Sequence, residues 1–388
     1  MRAYLDHAAT SPLSAEAAAA MAPWLAGRFG NPSGSHSVAR AARAALEEAR
    51  EELGRFVGTP ARQVVFTSGG TESDNLAVRG AVGAAGGGAG AAVVVSAVEH
   101  AAVLGAAAAS GAQVRTVGVD RAGVVDLDRL ADALDEAVAV VSVMLANNEV
   151  GTLEPLAEVA ALVRRRSPRA LLHTDAVQAA RWCDLGEVVP LVDLLSVSAH
   201  KLGGPQGVGA LVVGARDRIA PLLRGGSQEG GLRPGTHNVA GIVGFAAAAT
   251  ATAAGRGEAA AATAARRDRL VAEVLARVEG VELLAGAAPR VASIAAFVVE
   301  GVESEALLLL LDQAGVAASA GAACASGALE ASHVLLAMGV PRREALASLR
   351  VSLAPRTTDA EVDAFLDALP VAVGRLRAAP ARRDRERV

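Results

Sequence analysis

Short apolar runs alternate along the chain with longer stretches in which apolar positions recur every three or four residues. The runs Val64–Thr67, Ala92–Ser96, Gln113–Val117, Ala139–Met144, Leu171–Thr174, Leu194–Ser198 and Gly209–Val213 predict strands. Several are continuously apolar, as strands buried on both faces must be. Helical periodicity fills most of the intervals, for example over Val38–Leu53, Thr71–Gly80 and Pro155–Arg166. This alternation predicts an α/β fold with a mainly parallel, seven-stranded sheet covered by helices on both sides. Past Gly255 the rhythm changes. A polar helix over Glu258–Val278, an apolar run at Val291–Val299, a helix over Glu303–Ala314 and a Gly/Ala/Ser loop around Cys324 read as a smaller α+β unit. The expected division is a large domain over 12–255 and a small one over 256–377 that includes 1–11. The arginine-rich tail over 378–388 is expected to be disordered.

Composition narrows the function classes. A chain of 388 residues suggests two or three domains, at roughly 100–200 residues each. Much of its 52% hydrophobic content is alanine, so a mean hydropathy of +0.36 needs no membrane span. The most alanine-rich stretch, Gly241–Gly255, is shorter than the roughly 20 strongly apolar residues a span requires, and predicts a buried or surface helix. Asp6 and His7 stand where a secretory signal would turn apolar. A net charge of −4 gives no electrostatic case for nucleic acid. Two cysteines, Cys183 and Cys324, cannot build a disulfide framework, and no CxxC pair marks a metal site. A reducing, cytoplasmic location is the expectation. The glycine-rich segment Gly83–Gly90 precedes a strand instead of following one, which argues against a dinucleotide fingerprint there.

One imbalance points to chemistry. Of the 37 basic residues only Lys201 is a lysine. Arginine can replace lysine wherever only a positive charge is wanted, but not where a neutral amine must attack a carbonyl. Lys201 sits in Ser196-Val-Ser-Ala-His-Lys201-Leu-Gly-Gly-Pro205, where an apolar strand ends in a glycine-containing turn. Open α/β sheets bind ligands at such carboxyl ends. A partly desolvated amine there has a depressed pKa and can form a Schiff base. Ser198 and His200 beside it are donors that suit a phosphate.

Other candidates also follow strands. Asp175, at the end of His173-Thr-Asp175, is either a helix cap or a carboxylate that keeps a pyridine nitrogen protonated. Thr67-Ser-Gly-Gly-Thr71 runs from a strand through a glycine turn into a helix, where backbone N–H groups and the Thr71 hydroxyl make an anion cradle. His100 is either structural or able to stack on a flat cofactor and relay protons. Asn147 and Asn148 are either turn formers or amide donors.

Taken in series, Tyr4-Leu-Asp-His-Ala-Ala-Thr10, Gly30-Asn-Pro-Ser-Gly-Ser-His36, Thr67-Ser-Gly-Gly-Thr-Glu-Ser73, Ala146-Asn-Asn-Glu-Val-Gly151, His173-Thr-Asp-Ala-Val-Gln178, Ser198-Ala-His-Lys201 and Arg233-Pro-Gly-Thr-His-Asn238 resemble the cysteine desulfurases. These are class V aminotransferase relatives among the fold-type-I pyridoxal-phosphate enzymes. The resemblance implies Lys201 as the Schiff-base lysine, Asp175 at the pyridine nitrogen, Gln178 at the ring hydroxyl and a catalytic His100 stacked on the ring. It implies Thr71, Ser198 and His200 on the phosphate. Thr236 maps onto a threonine that completes this site from the neighbouring subunit, hence a homodimer. Arg350 resembles the arginine that clamps the substrate α-carboxylate, with Asn148 assisting at cofactor and substrate. Ala318-Ser-Ala-Gly-Ala-Ala-Cys324 is similar to the loop that carries the family's catalytic cysteine, so Cys324 is the expected sulfur acceptor and L-cysteine the substrate. Cys183, beside Trp182, reads as a small buried apolar residue. A selenocysteine lyase or aminotransferase of the same fold, and a non-catalytic sulfur-relay subunit, are the alternatives. The sequence departs from the family at Ser227, Gly230 and Ala331, where glycine, arginine and proline are usual.

Overall fold

The computed structural model describes residues 3–88, 90–321 and 330–379. Its large sheet consists of β1 (Val64–Thr67), β2 (Ala92–Ser96), β3 (Gln113–Val117), β4 (Val138–Ser142), β5 (Leu171–Asp175), β6 (Leu194–Ser198) and β7 (Gly209–Val213). Their spatial order is β1-β7-β6-β5-β4-β2-β3. Strands β3, β2, β4, β5 and β6 are mutually parallel, and β7 runs against both β6 and β1. The expected seven-stranded, mainly parallel sheet is therefore present. Every residue of β1, β2, β5, β6 and β7 is buried, which is why these runs read as continuously apolar or uncharged. At the edge, β3 carries exposed Gln113, Val114 and Thr116.

Helices cover the sheet. In α1 (Ser37–Val57) the buried positions Ala39, Ala42, Leu46, Ala49 and Leu53 recur at three- and four-residue steps, one stripe of a helix. It ends at Gly58, whose φ of 77° is the left-handed conformation that glycine adopts most readily. A Cβ there would also lie 2.5 Å from Gly186 Cα. Helix α2 (Gly70–Ala84) follows β1 directly and packs on the sheet through Leu76, Ala77, Val78 and Val82.

Two helices were expected on either side of Gly255, but one continuous helix, α3 (Val239–Arg277), runs through that position. Interior glycine costs about 1 kcal/mol relative to alanine. Anchoring on both sides outweighs this cost. Arg256, next to Gly255, stacks its guanidinium 5.2 Å from the Phe56 ring centroid and pairs with Asp184 at 3.3 Å. The first half of α3 places Ile242, Phe245 and Ala249 in the core under the large sheet. The second half places Leu270, Val271 and Val274 in a separate core with Leu5, Phe297, Leu307 and Phe365. By length and composition α3 could cross a membrane. In the fold it packs along α1 and along the helix Ala15–Ala26.

The second core lies on an antiparallel sheet of β8 (Val281–Leu283), β9 (Ile294–Val299) and β10 (Ser348–Ser352), with β9 central. Ala3–Tyr4 pairs with Val316–Ala317, so the N-terminal segment packs on this side of the molecule. Helices Ser304–Gln313 and Asp359–Ala378 close the layer, the latter opened by a Thr358/Glu361 capping box. Of the expected disordered tail over 378–388, Ala378 ends the helix, and 380–388 lie outside the described residues.

Phe245 has no exposed surface and fills the space where α3 meets the large sheet. Phe245→Ala is expected to lower unfolding stability by about 3–5 kcal/mol through lost burial and the cavity left behind. Leu275→Ala, on the same helix but 44% exposed, is expected to stay within about 0.5 kcal/mol of the parent. Denaturant melts of both variants check the pair.

Candidate active site

Strands β1, β2, β4, β5 and β6 point the same way, so their carboxyl ends share one edge of the sheet. The chain leaving each strand there carries a candidate residue. After β6 a short 3-10 turn, Ala199–Lys201, lifts Lys201 out of the sheet. Arg181 Nε donates to the Lys201 carbonyl at 3.0 Å and fixes the turn. Lys201 Nζ donates to the Ala9 carbonyl at 2.8 Å and to that of Ala8, so the N-terminal segment forms a wall of the site. The Lys201 pKa is pushed down to about 8. Burial is the main cause and the Arg350 guanidinium adds to it, while Asp175 and Asp6 pull the other way.

Asp175 ends β5 and is buried. Its Oδ1 accepts the Val177 N–H at 2.8 Å, so it caps a turn and not the helix that the sequence allowed. Burial raises its pKa, and the neighbouring His100 and Lys201 charges oppose that rise. An Asp175 oxygen, an Asp74 oxygen and a His100 ring nitrogen all lie within 4.8 Å of one another. His100 is exposed and caps the helix Ala101–Ala108, its Nδ1 accepting the Ala102 N–H at 3.1 Å. Gln178 is buried, and its Oε1 has no hydrogen-bond partner among the described residues.

The glycine turn after β1 closes against the ends of β5 and β6. A Cβ on Gly70 would fall 2.9 Å from Val177 Cγ2 and 3.9 Å from Ser198 Cβ. Gly69, with φ 152°, precedes α2, and no side chain caps the first turn of that helix. Thr71 stands exposed in that turn, and Ser198 is buried beside it. His200 Nδ1 lies 3.1 Å from Thr10 Oγ1, and burial pushes its pKa down to about 4. Thr71, Ser198, His200, Lys201, Asp175 and His100 thus border one edge.

Arg350, on β10, reaches this edge from the small sheet and is 4% exposed. Its Nη2 donates to Asp6 Oδ1 at 2.7 Å and its Nη1 to the Asn148 carbonyl at 2.9 Å. Its buried Nε has no partner among the described residues. Asn148 therefore meets Arg350 through its backbone. Asn147 is a turn former: its side chain accepts the Glu149 and Val150 N–H groups and donates to the Val98 carbonyl.

Thr236 is exposed on the segment that follows the 3-10 turn Gln228–Gly231. Glu229 anchors that segment. It is buried, accepts Arg50 Nη1 and Nη2 at 2.7 and 2.8 Å and the Phe66 N–H at 3.0 Å, and lies 2.6 Å from His237 Nε2. These donors hold its pKa down at about 2 against the opposing effect of burial. Gly230 has a φ of 65°, and a Cβ there would sit 2.8 Å from Arg216 Nη1. Cys324 lies outside the described residues. Cys183 is half-buried, and burial pushes its thiol up to about 11, far from the thiolate a nucleophile needs. Sequence reading passed over Asp6, Asp74 and Glu229 as individual residues. Asp6 and Asp74 lie inside or beside quoted motifs, but nothing local announces their partners.

The chain is similar in sequence and fold to known proteins. The family model Aminotransferase class-V matches residues 3–365. A cysteine desulfurase of Cereibacter sphaeroides is 43% identical, over 97% of this chain and 97% of its own. A solved NifS-like protein superposes with a TM-score of 0.89 at 33% identity, covering 96% of this chain and all of its own. A structure described as SspA in complex with cysteine has a TM-score of 0.79 at 28% identity, covering 92% of this chain and all of its own.

With a single lysine in the chain, [13Cε]lysine labelling gives one side-chain NMR signal. In the cofactor-free protein it is expected to titrate near 8. An ordinary midpoint, about 10.4 for an unperturbed lysine, would show that the amine is solvated and not held in the pocket described.

Proposed function

The chain belongs to the class-V aminotransferase family, and we propose that within it this protein is a cysteine desulfurase that uses pyridoxal 5′-phosphate to convert L-cysteine to L-alanine. The observation that carries the reading is the meeting of the chain's only lysine, its pKa depressed, with buried Asp175 and Arg350 at one sheet edge.

The residues fit the cofactor. An unpartnered Gln178 Oε1 suits the ring hydroxyl, and an uncapped helix start beside Ser198 suits the phosphate. Lys201 would hold the cofactor covalently and Asp175 would face its ring nitrogen. His100 would stack on the ring, with Thr71, Ser198 and His200 on the phosphate. Asn148 borders both cofactor and substrate. Thr236, exposed and held by the Glu229 anchor, would reach the phosphate of a neighbouring subunit in a homodimer.

Bound pyridoxal phosphate supplies an electron sink for the pair left when the substrate loses its α-proton. The protein's own groups do the rest. Arg350, steadied by Asp6 and the Asn148 carbonyl, binds the α-carboxylate. Lys201, the amine of the site, would be the base that takes the α-proton, a role its depressed pKa favours near neutral pH. The Cys324 thiolate attacks the substrate sulfur. An S–S bond forms, the C–S bond breaks with its electron pair moving to Cβ, and protonation at Cβ together with return of the proton held by Lys201 to Cα yields alanine. The persulfide on Cys324 then passes to an acceptor, in iron–sulfur assembly, tRNA thiolation or another sulfur pathway. The cytoplasm, which keeps thiols reduced, is the compartment that fits this chemistry.

Two experiments test the proposal. Cys324→Ser is expected to keep the cofactor and its spectral response to cysteine, yet to form no persulfide and release little alanine. Cys183→Ser is expected to match the parent. Full alanine release by Cys324→Ser would sink the sulfur-acceptor role, and comparison with selenocysteine would then identify a lyase. Arg350→Lys, which loses the bidentate fork, is expected to raise KM for cysteine by about tenfold or more, the equivalent of one charged hydrogen bond, without altering the cofactor spectrum. Unchanged cysteine kinetics would assign Arg350 a structural role.

A further inference from the structure

Behind Asp175 stands a second acid that the reaction above leaves without a task. Asp74 lies on α2, in the turn after Thr71, and is 1% exposed. One of its oxygens is within 4.8 Å of an Asp175 oxygen and of a His100 ring nitrogen. Its Oδ1 has no hydrogen-bond partner among the described residues. His173 Nε2 lies 3.7 Å from that oxygen, but it is not a cation, because burial pushes this histidine down to about 3. Both ring nitrogens of His173 are already engaged by hydroxyls, Nδ1 with Ser142 at 2.8 Å and Nε2 with Ser196 at 3.0 Å.

The two acids are unequally equipped to hold a charge. Asp175 accepts the Val177 N–H and has Lys201 as a cationic neighbour. Around Asp74, burial, Asp175 and buried Glu99 all oppose ionisation, and only the Ser196 hydroxyl favours it. Two carboxylates this close in a dry interior cannot readily both ionise. Resting on the reading that Asp175 faces the cofactor ring, we propose that Asp74 and Asp175 form a carboxyl pair with one proton, that Asp74 carries it, and that Asp74 is thereby a positioning residue which leaves Asp175 as the single negative charge at the ring. An ionised Asp74 would double the charge facing the ring nitrogen. A neutral one sets it to one and leaves its O–H free to orient Asp175.

The test begins with cofactor-free protein carrying [13C]aspartate. Asp74 and Asp175 are the buried aspartates among the described residues. At pH 7 the infrared spectrum is expected to contain a protonated-acid carbonyl band that shifts with this label, which separates it from buried Glu99 and Glu154. The band is expected to vanish in Asp74→Asn. If no acid band follows the label, both aspartates are ionised and the pair is refuted, whether or not the variant folds. If the band survives in Asp74→Asn, the proton belongs to Asp175 and the assignment is wrong. The positioning role is read separately, in protein loaded with pyridoxal phosphate. The parent's cofactor absorbance is expected to show an alkaline step, as Asp74 ionises, that Asp74→Asn lacks. Identical alkaline titrations overturn that role. Parent protein that takes up no pyridoxal phosphate overturns the reading of Asp175, and the positioning role with it, while the infrared bands still decide where the proton lies.

Discussion

Strands covered on both faces cannot carry unpaired charge along their length, because each charge would have to leave water without a partner. In this protein the interior strands of the large sheet have uncharged, buried bodies, and the ionisable residue Asp175 appears at the last position of β5. Parallel register then does what no single motif does. It brings the segments after β1, β2, β4, β5 and β6 to one edge, although Thr71 after β1 and Lys201 after β6 are 130 residues apart in the chain. Lys201, Asp175, His100 and the glycine turn before Thr71 are neighbours for that reason.

The charges gathered at this edge are balanced by segments from elsewhere. The N-terminal residues supply the Ala8 and Ala9 carbonyls to Lys201 and the Asp6 carboxylate to Arg350. Arg350 comes from the small sheet, so the site exists only where that sheet docks on the large one. Helix α3 contributes to both cores and links them through one continuous backbone. A truncation of the first ten residues would therefore disturb the amine and the guanidinium together, even though neither lies in that segment.

A similar division of labour holds Thr236 in place. Buried Glu229 adopts a left-handed backbone conformation, φ 51°, which is costly for a residue with a side chain. Arg50, His237 and the Phe66 N–H together over-determine it. Because Phe66 precedes the Thr67–Thr71 turn, the same carboxylate links that turn to the segment bearing Thr236. Gly230 beside it leaves room for Arg216, whose Nη1 donates to the Glu229 carbonyl at 2.9 Å.

The sequence by itself determined the strands, the edge at which chemistry collects, the identity of the unique lysine and the family resemblance. Each of these is written in local pattern: apolar runs of strand length, glycine turns, and residue types that no other residue can replace. The continuity of α3 through Gly255 was not legible, because local propensity marks a break there while packing on two separate cores holds the helix straight. Nor were the partners of Arg350, the burial of Asp74 beside Asp175, or the Glu229 anchor. These pairs lie 344, 101 and 179 residues apart for Arg350–Asp6, Asp74–Asp175 and Arg50–Glu229. Only tertiary structure decides them, because the strength of a charge depends on the surface it has lost to burial and on which distant chain segment is brought within a few ångströms of it.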